Sequence, residues 1–326
     1  MVDAVLAQAT RGASAPVSAQ LARFRDVYAI DGTLIRLHRK LQKHFRGFRS
    51  KGTEAVAKLH VVHNLSRRDI ERLRLSGARV PDVRGVTFGR WVKGALSLFD
   101  LGYYSHAIFR KIRDAGGFFV SRMKSHANPL VVSLRHGRKT IPLDGIRLKD
   151  LKITEDVLDV DARFGRGKNA RTYRVSAVRE PVSGTWRYYV TNLSAEEFPA
   201  EEIAAIYRLR WEIELLFREL KSAYRLDEVT TTKPATARCL ILAALLSLLL
   251  GRVLTQIAAY RADCAARTLS PRRVAAVLAQ HALDLGRTLL AGNAKSLGRC
   301  LARVADVCIV VARAVPPRGG ARALSA

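Results

Sequence analysis

The apolar positions of the N-terminal 125 residues fall in short runs rather than at helical spacing. "DVYAID" at 26–31, "KLHVVHNL" at 58–65, "LSLFD" at 96–100 and "GFFVSRMK" at 117–124 are rich in β-branched or aromatic residues, which predicts four strands. Between the last two, "YYSHAIFRKIRDAGG" is amphipathic and stops at Gly116–Gly117, which predicts a helix. Strands followed by a strand-helix-strand unit predict a mixed sheet with helices against it, an α/β fold.

From 128 to 193 the texture changes. "NPLVVSL", "LKITEDVLDVDARF", "RTYRVSAVRE" and "TWRYYVTNL" alternate and are separated by turn residues, among them "PVSGT" at 181–185, so a β-rich insertion ending in a hairpin is expected. Pro199 and its neighbouring acids then suit a helix start, and the chain becomes helical. "CLILAALLSLLL" at 239–250 is too short for a bilayer before Gly251 and Arg252 and reads as a buried helix. The expected organisation is a flexible N-terminal segment over 1–25, a first part of the core over 26–127, the β-rich insertion over 128–193, a second part of the core over 194–260, and a helical C-terminal region over 261–326 with a disordered tail.

The stretch "IYRLRWEIELLFRELK" at 206–221 has the pattern of one amphipathic helix. Ile206, Leu209, Ile213, Leu216, Phe217 and Leu220 form its apolar stripe. At roughly 100° per residue, Tyr207, Arg210, Glu214 and Lys221 share an adjoining arc of about 60°. Two readings fit this row: a solvated face on which Arg210–Glu214 and Glu214–Arg218 form i,i+4 ion pairs, or a row aimed at a ligand. Spacing alone does not choose between them.

Charge changes the picture. Fifty-six Lys and Arg against 28 Asp and Glu leave a formal +28, an excess that a polyanion such as nucleic acid would offset. A membrane partner is not expected, since no long helix sets an apolar face opposite a Lys-rich one. No secretory signal is visible, and Cys239, Cys264, Cys300 and Cys308 lack C-x-x-C spacing, which fits reduced thiols in the cytoplasm. His60 and His63, three apart on a strand, point to opposite faces and read as core or edge histidines rather than a ligand pair. The basic run Arg36, Arg39, Lys40, Lys43, Arg46, Arg49 and Lys51 suits a DNA-facing arm or a solvated loop, and "RFGRGKNARTYR" at 163–174 suits a turn against a duplex.

Two predicted strands end in an aspartate, Asp31 before Gly32, which is expected to open a turn, and Asp100 before "LGYYS". A carboxylate at the carboxyl edge of a sheet is held by its strand and left open by the loop that follows. If the helix carrying Glu214 packs on that sheet, three carboxylates converge, an arrangement tolerated when divalent cations neutralise it. Two metals about 4 Å apart in such a cluster activate water and stabilise the leaving oxygen in phosphodiester displacement.

The pattern Y-x2-R-x3-E-x6-K, met by Tyr207, Arg210, Glu214 and Lys221, resembles the signature of bacterial insertion-sequence transposases of the DDE type, in the group called insertion sequence family four. "AIDGT", "KLHVVHNL", "DLGYY" and "GGFFVSRMK" match in order, and the resemblance covers about 27 to 255. It implies an RNase H-like core interrupted by a β-strand insertion, with Asp31, Asp100 and Glu214 as catalytic acids that ligate two Mg2+ ions, for which Mn2+ can substitute. It implies double-stranded DNA partners, the element ends and a target, bound by a homodimer. The expected reaction is cut-and-paste: nicking by water, attack of the freed 3′ hydroxyl on the opposite strand to form a hairpin, reopening, and strand transfer. Trp186 is expected to stack on the base extruded for the hairpin, or to be a core residue of its hairpin sheet. Tyr207 and Arg210 are expected on the phosphate near that base, Lys221 on the transferred strand, and Arg122, Lys124 and Arg218 on DNA.

Two alternatives stay open here: an RNase H-like nuclease that does not transpose, and a catalytically idle derivative that binds DNA or inhibits a relative. Transposases of this kind usually carry a helical end-recognition domain before the first Asp, whereas 30 residues precede Asp31, among them "ATRGASAPVSAQ". The expectation is phosphate binding with little preference for particular ends.

Overall fold

The first strand runs further than its pattern predicts. In the computed structural model β1 spans Val27–Leu37, and Gly32, expected to open a turn, is an extended residue paired with His60. The physical reason is a change of partner. β1 pairs in parallel with β4 (Leu96–Phe99) only over Val27–Ile30, while β2 (Ala55–Asn64) continues to pair with it, antiparallel, as far as Leu37. Asp31 therefore stands where one ladder ends and the other goes on. The structure describes residues 21–48, 55–136, 139–143, 145–165, 167, 170–227 and 229–313. Most of the N-terminal segment, Arg49 and Lys51 of the basic run, and the C-terminal tail lie outside them.

The chain divides into two compact units, Met1–Leu215 and Leu216–Ala326. In the first, β1 to β3 (Asp69–Gly77) form an antiparallel meander, and β4 and β5 (Phe118–Arg122) extend it in parallel from β1, giving the order β3-β2-β1-β4-β5 of an RNase H-like sheet. β6 (Leu130–His136), β7 (Lys139–Pro142), β8 (Val157–Phe164), β9 (Arg171–Arg179) and β10 (Trp186–Thr191) come from the expected insertion. They join the same sheet through β10, which pairs antiparallel with β5, and the order continues β10-β9-β8-β6-β7.

Strand alternation sorts the core onto two faces. Tyr28, Ile30, Phe99 and Phe119 pack with Ile108, Phe109 and Ile112 of α1 (His106–Asp114), the predicted helix, which ends at Gly116 in the left-handed region. Val27, Leu96, Leu98 and Val120 pack instead with Ile203, Ile206 and Tyr207 of α2 (Ala200–Arg208). By the same alternation Asp31 and Asp100 belong to the α2 face.

The segment expected as one helix over 206–221 is two. α2 ends at Arg208 and α3 spans Trp211–Ser222. Across the junction the amides of Leu209, Arg210, Glu212 and Ile213 donate to carbonyls three residues back, those of Ile206, Tyr207, Leu209 and Arg210, at 3.0–3.2 Å. That tighter winding re-aims α3 without glycine or proline.

Not every basic residue of 163–174 is available to a duplex. Arg174 is buried, donates to both carboxylate oxygens of Asp159 at 2.8 and 2.7 Å, and also reaches the carbonyls of Leu193 and Ser194. Arg166, Lys168 and Asn169 lie outside the described residues. His60 and His63 are both buried and engaged, as expected of core histidines: His60 contacts the Tyr103 hydroxyl and Ser76 Oγ, each at 3.0 Å, and His63 the Asp69 carbonyl at 2.8 Å.

In the second unit the apolar run at 239–250 belongs to α4 (Pro234–Arg261), 28 residues long and, by length and composition alone, enough to cross a membrane. One stripe of it, including Leu245, Leu248, Leu254 and Ala258, is buried, with α5 (Pro271–Gln280) and α7 (Ala294–Val311) packed against its C-terminal part; α6 (Ala282–Leu290) lies between these two in the chain. The expectation that Gly251 ends this helix is wrong. Gly251 lies inside it because a Cβ there would stand 1.9 Å from the Tyr224 hydroxyl. The expectation of a buried helix over 239–250 is also corrected: its apolar stretch is only 28% buried, because one face packs and the other, with Leu240, Leu242, Leu246 and Leu250, is exposed.

The Arg174–Asp159 pair yields a stability prediction. Removing one partner of a buried pair leaves an uncompensated charge, which costs about 3–5 kcal/mol. Asp159→Ala should lower the unfolding free energy of the first unit by about that amount in chemical denaturation, and an effect below ~1 kcal/mol would contradict the assignment.

Candidate active site

Two side chains tie the acids together. Asp100 follows the last residue of β4 with an extended backbone and leads into the 3-10 turn Leu101–Tyr103. The Tyr207 hydroxyl, near the end of α2, donates to Asp100 Oδ1 at 3.3 Å. Arg210, in the junction between α2 and α3, donates through Nη1 to Asp31 Oδ2 at 3.3 Å and through Nη2 to Glu214 Oε1. The Arg210–Glu214 spacing of four, which also fits a solvated ion pair, here belongs to a guanidinium that is 11% exposed and shared with a second carboxylate.

The electrostatics follow from partial burial. Desolvation lifts the Asp31 carboxyl to about 6; the Gly32 amide, donating to Oδ1 at 2.7 Å, and Arg210 act against the rise, while the charges of Asp100 and Asp82 add to it. Burial, with Asp100 beside it, also pushes the Tyr207 phenol well above its ordinary value, so the hydroxyl stays a donor. Asp31, Asp100 and Glu214 against one Arg210 leave a net double negative charge when all are ionised. Their donors are hard oxygens, the type that suits Mg2+ or Mn2+. The residues fit a divalent cation in chemistry and charge. As folded, with a guanidinium between Asp31 and Glu214, no three acid, His or Cys side chains among the described residues are close enough to hold one.

The other expected residues are dispersed. Arg122 is exposed at the end of β5 and lowers the Tyr207 phenol by its charge. Lys124 places its ammonium 5.5 Å from the ring centre of Tyr104, four residues after Asp100. Trp186 is half-buried on the insertion core, its ring 6.1 Å from that of Tyr188, so packing accounts for one of its faces. Arg218 and Lys221 lie further along α3, in the second unit, the former exposed and the latter half-buried. Two residues beside these were not singled out in the sequence. Trp211, next to Arg210, is 50% exposed, and an aromatic on the polar side of the predicted helix was its signal. Asp82 sits in a loop and had no signal.

An antiparallel meander extended by two parallel strands, with acids gathered under a helix where the parallel ladder ends, is the architecture of RNase H-like enzymes of nucleic-acid phosphodiester chemistry. Within that class, a model of the transposase DDE domain matches residues 22–250, and the chain belongs to this family of bacterial insertion-sequence transposases. It is 30% identical over 209 residues to the putative transposase y4zB of Sinorhizobium fredii, covering 63% of this chain and 55% of that protein. It is 21% identical over 272 residues to the transposase for insertion sequence element IS231F of Bacillus thuringiensis, covering 71% and 56%. A shorter match, 45% over 58 residues, covers 18% of this chain and 16% of the putative transposase InsL for IS186A of Escherichia coli. The chain thus spans about half the length, or less, of these relatives.

The raised Asp31 carboxyl sets a pH dependence. The folded protein keeps this proton up to about pH 6, whereas the unfolded chain releases it near the ordinary carboxylate value, so the group's contribution to stability is lost as pH rises through that window. In buffer without divalent cations, the stability of Asp31→Asn relative to wild type should increase by on the order of 2 kcal/mol between pH 4 and pH 7. Denaturant unfolding at both pH values measures this, and a pH-independent difference would contradict it.

Proposed function

We propose that this chain is the catalytic part of a cut-and-paste transposase of insertion sequence family four, acting on double-stranded DNA in the bacterial cytoplasm with Asp31, Asp100 and Glu214 as its acids. The observation that carries the reading is the pair of ties, Tyr207 to Asp100 and Arg210 to Asp31 and Glu214, which gather carboxylates from β1, β4 and α3 at one edge of the sheet. The three carboxylates would hold two Mg2+ ions, which supply water activation and charge neutralisation at the leaving oxygen.

The remaining work falls to side chains. Tyr207 keeps one oxygen of Asp100 engaged, which orients the other. Arg210 is positioned to exchange carboxylate oxygens for phosphate oxygens, since a guanidinium binds either in the same planar fashion. Arg122 and Lys124, with Arg218 and Lys221, would contact the DNA backbone, and the formal +28 supplies salt-dependent affinity. The sequence of steps is nicking by water, attack of the 3′ hydroxyl on the opposite strand, reopening of the hairpin, and strand transfer by a homodimer holding two element ends. We take β6 to β10 as the insertion, with Trp186 or the more exposed Trp211 stacking on the extruded base.

Asp100→Asn should abolish Mg2+-dependent nicking of element-end DNA while leaving salt-dependent DNA binding within about twofold, because the basic surface supplies that affinity. Retained nicking would remove Asp100 from the assignment. The tryptophans separate the steps: Trp186→Ala should permit first-strand nicking and slow hairpin formation at least tenfold in a time course on denaturing gels. If nicking and hairpin formation fall equally, Trp186 is a packing residue, and the same assay on Trp211→Ala then tests the neighbouring ring.

A further inference from the structure

Behind Asp31 and Asp100 sits a fourth carboxylate. Asp82 opens the 3-10 turn Asp82–Arg84 in the loop between β3 and β4. Its Oδ1 accepts from Lys58 Nζ at 3.1 Å, and Lys58, on β2, also holds the Val80 carbonyl at 3.2 Å. The buried His60 ring is 3.9 Å from the same oxygen and bonds to Tyr103, the last residue of the turn after Asp100.

Three glycines line this seat. A Cβ on Gly102 would lie 2.6 Å from Asp82 Oδ2 and one on Gly85 2.1 Å from His60 Nδ1, whereas one on Gly32 would lie 3.5 Å from Asp82 Oδ1, an ordinary contact. None of the three is in the left-handed region, so their backbones do not require glycine. Gly102 and Gly85 supply room for Asp82 and for the loop that carries it, and Gly32 brings β1 into contact with the same carboxylate. Gly32 is the residue after Asp31, and Gly102 is two after Asp100. By strand alternation Gly32 faces His60, its cross-strand partner, on the side opposite the Asp31 side chain. One carboxylate, held by Lys58, thus lies against β1 beside Asp31 and against the turn that follows Asp100.

We propose that Asp82 is a positioning residue of the reaction: clamped by Lys58, it wedges the Gly32 and Gly102 backbones at a fixed separation and so sets the spacing of Asp31 and Asp100. This rests on the reading of those two aspartates as cation ligands. Mg2+ demands near-ideal octahedral oxygen geometry, so its site is sensitive to the spacing of its carboxylates. Asp82 acts through the backbone and touches neither the cation nor the DNA. Gly102→Ala strains the same contact from the other side, and removing Asp82 relieves that strain.

The test is Mn2+ affinity of the full chain, read from the free-ion electron paramagnetic resonance signal, beside thermal unfolding and Mg2+-dependent nicking. Five variants are compared with wild type: Asp31→Asn, Asp82→Asn, Asp82→Ala, Gly102→Ala and the double variant Asp82→Ala/Gly102→Ala. Asp31→Asn should lose Mn2+ binding. Asp82→Asn, which keeps the side-chain shape and drops the charge that Lys58 clamps, and Gly102→Ala should each weaken Mn2+ about tenfold or more, and nicking with it, with DNA affinity unchanged. The double variant should bind Mn2+ no more weakly than Asp82→Ala alone, since the added Cβ then meets no carboxylate. Wild-type Mn2+ affinity in Asp82→Asn beside a loss in Asp31→Asn overturns the positioning role and leaves the ligand assignment standing, as do additive losses in the double variant. Wild-type affinity in Asp31→Asn overturns the ligand assignment and this inference with it.

Discussion

The guanidinium of Arg210 stands between two carboxylates that would otherwise repel each other, and the geometry of the site depends on it. Asp31 comes from β1 and Glu214 from α3, far apart in sequence and with no backbone hydrogen bond between them. Ion pairs of this kind are worth little on a solvated surface, but at 11% exposure the charge of Arg210 is poorly screened and its loss would leave two half-buried anions facing each other. The break between α2 and α3 belongs to the same arrangement, because it falls at Arg210 itself and lets Tyr207 reach Asp100 while Glu214 lies one turn beyond.

The sheet supplies the other half of the construction. β1 and β4 run parallel to Ile30 and Phe99 and then separate, and each of the next residues, Asp31 and Asp100, carries a carboxylate on the α2 face. The opposite face is filled by α1 and a dense aromatic group, with Phe109 and Phe119 stacked at 4.4 Å. The strand ends are thus rigid from below, which is what a site that holds cations at fixed spacing requires.

Much of this was legible in the sequence because it depends on local pattern. The three acids, Tyr207, Arg210, α1 with its glycine stop, and the alternation of β8 to β10 follow from periodicity and motif spacing. The misses have physical causes. β3 alternates charged and apolar residues as an edge strand, half-exposed along its length, and offers no buried run to recognise. Gly32 and Gly251 read as breakers, yet Gly32 continues β1 because β2 goes on pairing with it, and Gly251 leaves room for the Tyr224 hydroxyl. The break at Leu209–Arg210 has no breaker residue and is set by tertiary structure, so a pattern of period 3.6 runs straight through it. Asp82 lies in a loop, and what makes it notable is the space left by the distant Gly102, which only three-dimensional proximity displays.

If Asp31, Asp100 and Glu214 form one cation site whose negative charge Arg210 partly offsets, a crystal structure of the chain grown with Mn2+ and measured at the manganese absorption edge shows it. Anomalous scattering should lie within coordination distance of all three carboxylates, with Arg210 no longer bonded to both Asp31 and Glu214. Manganese bound elsewhere, or Arg210 still bridging the two carboxylates at saturating Mn2+, would contradict it.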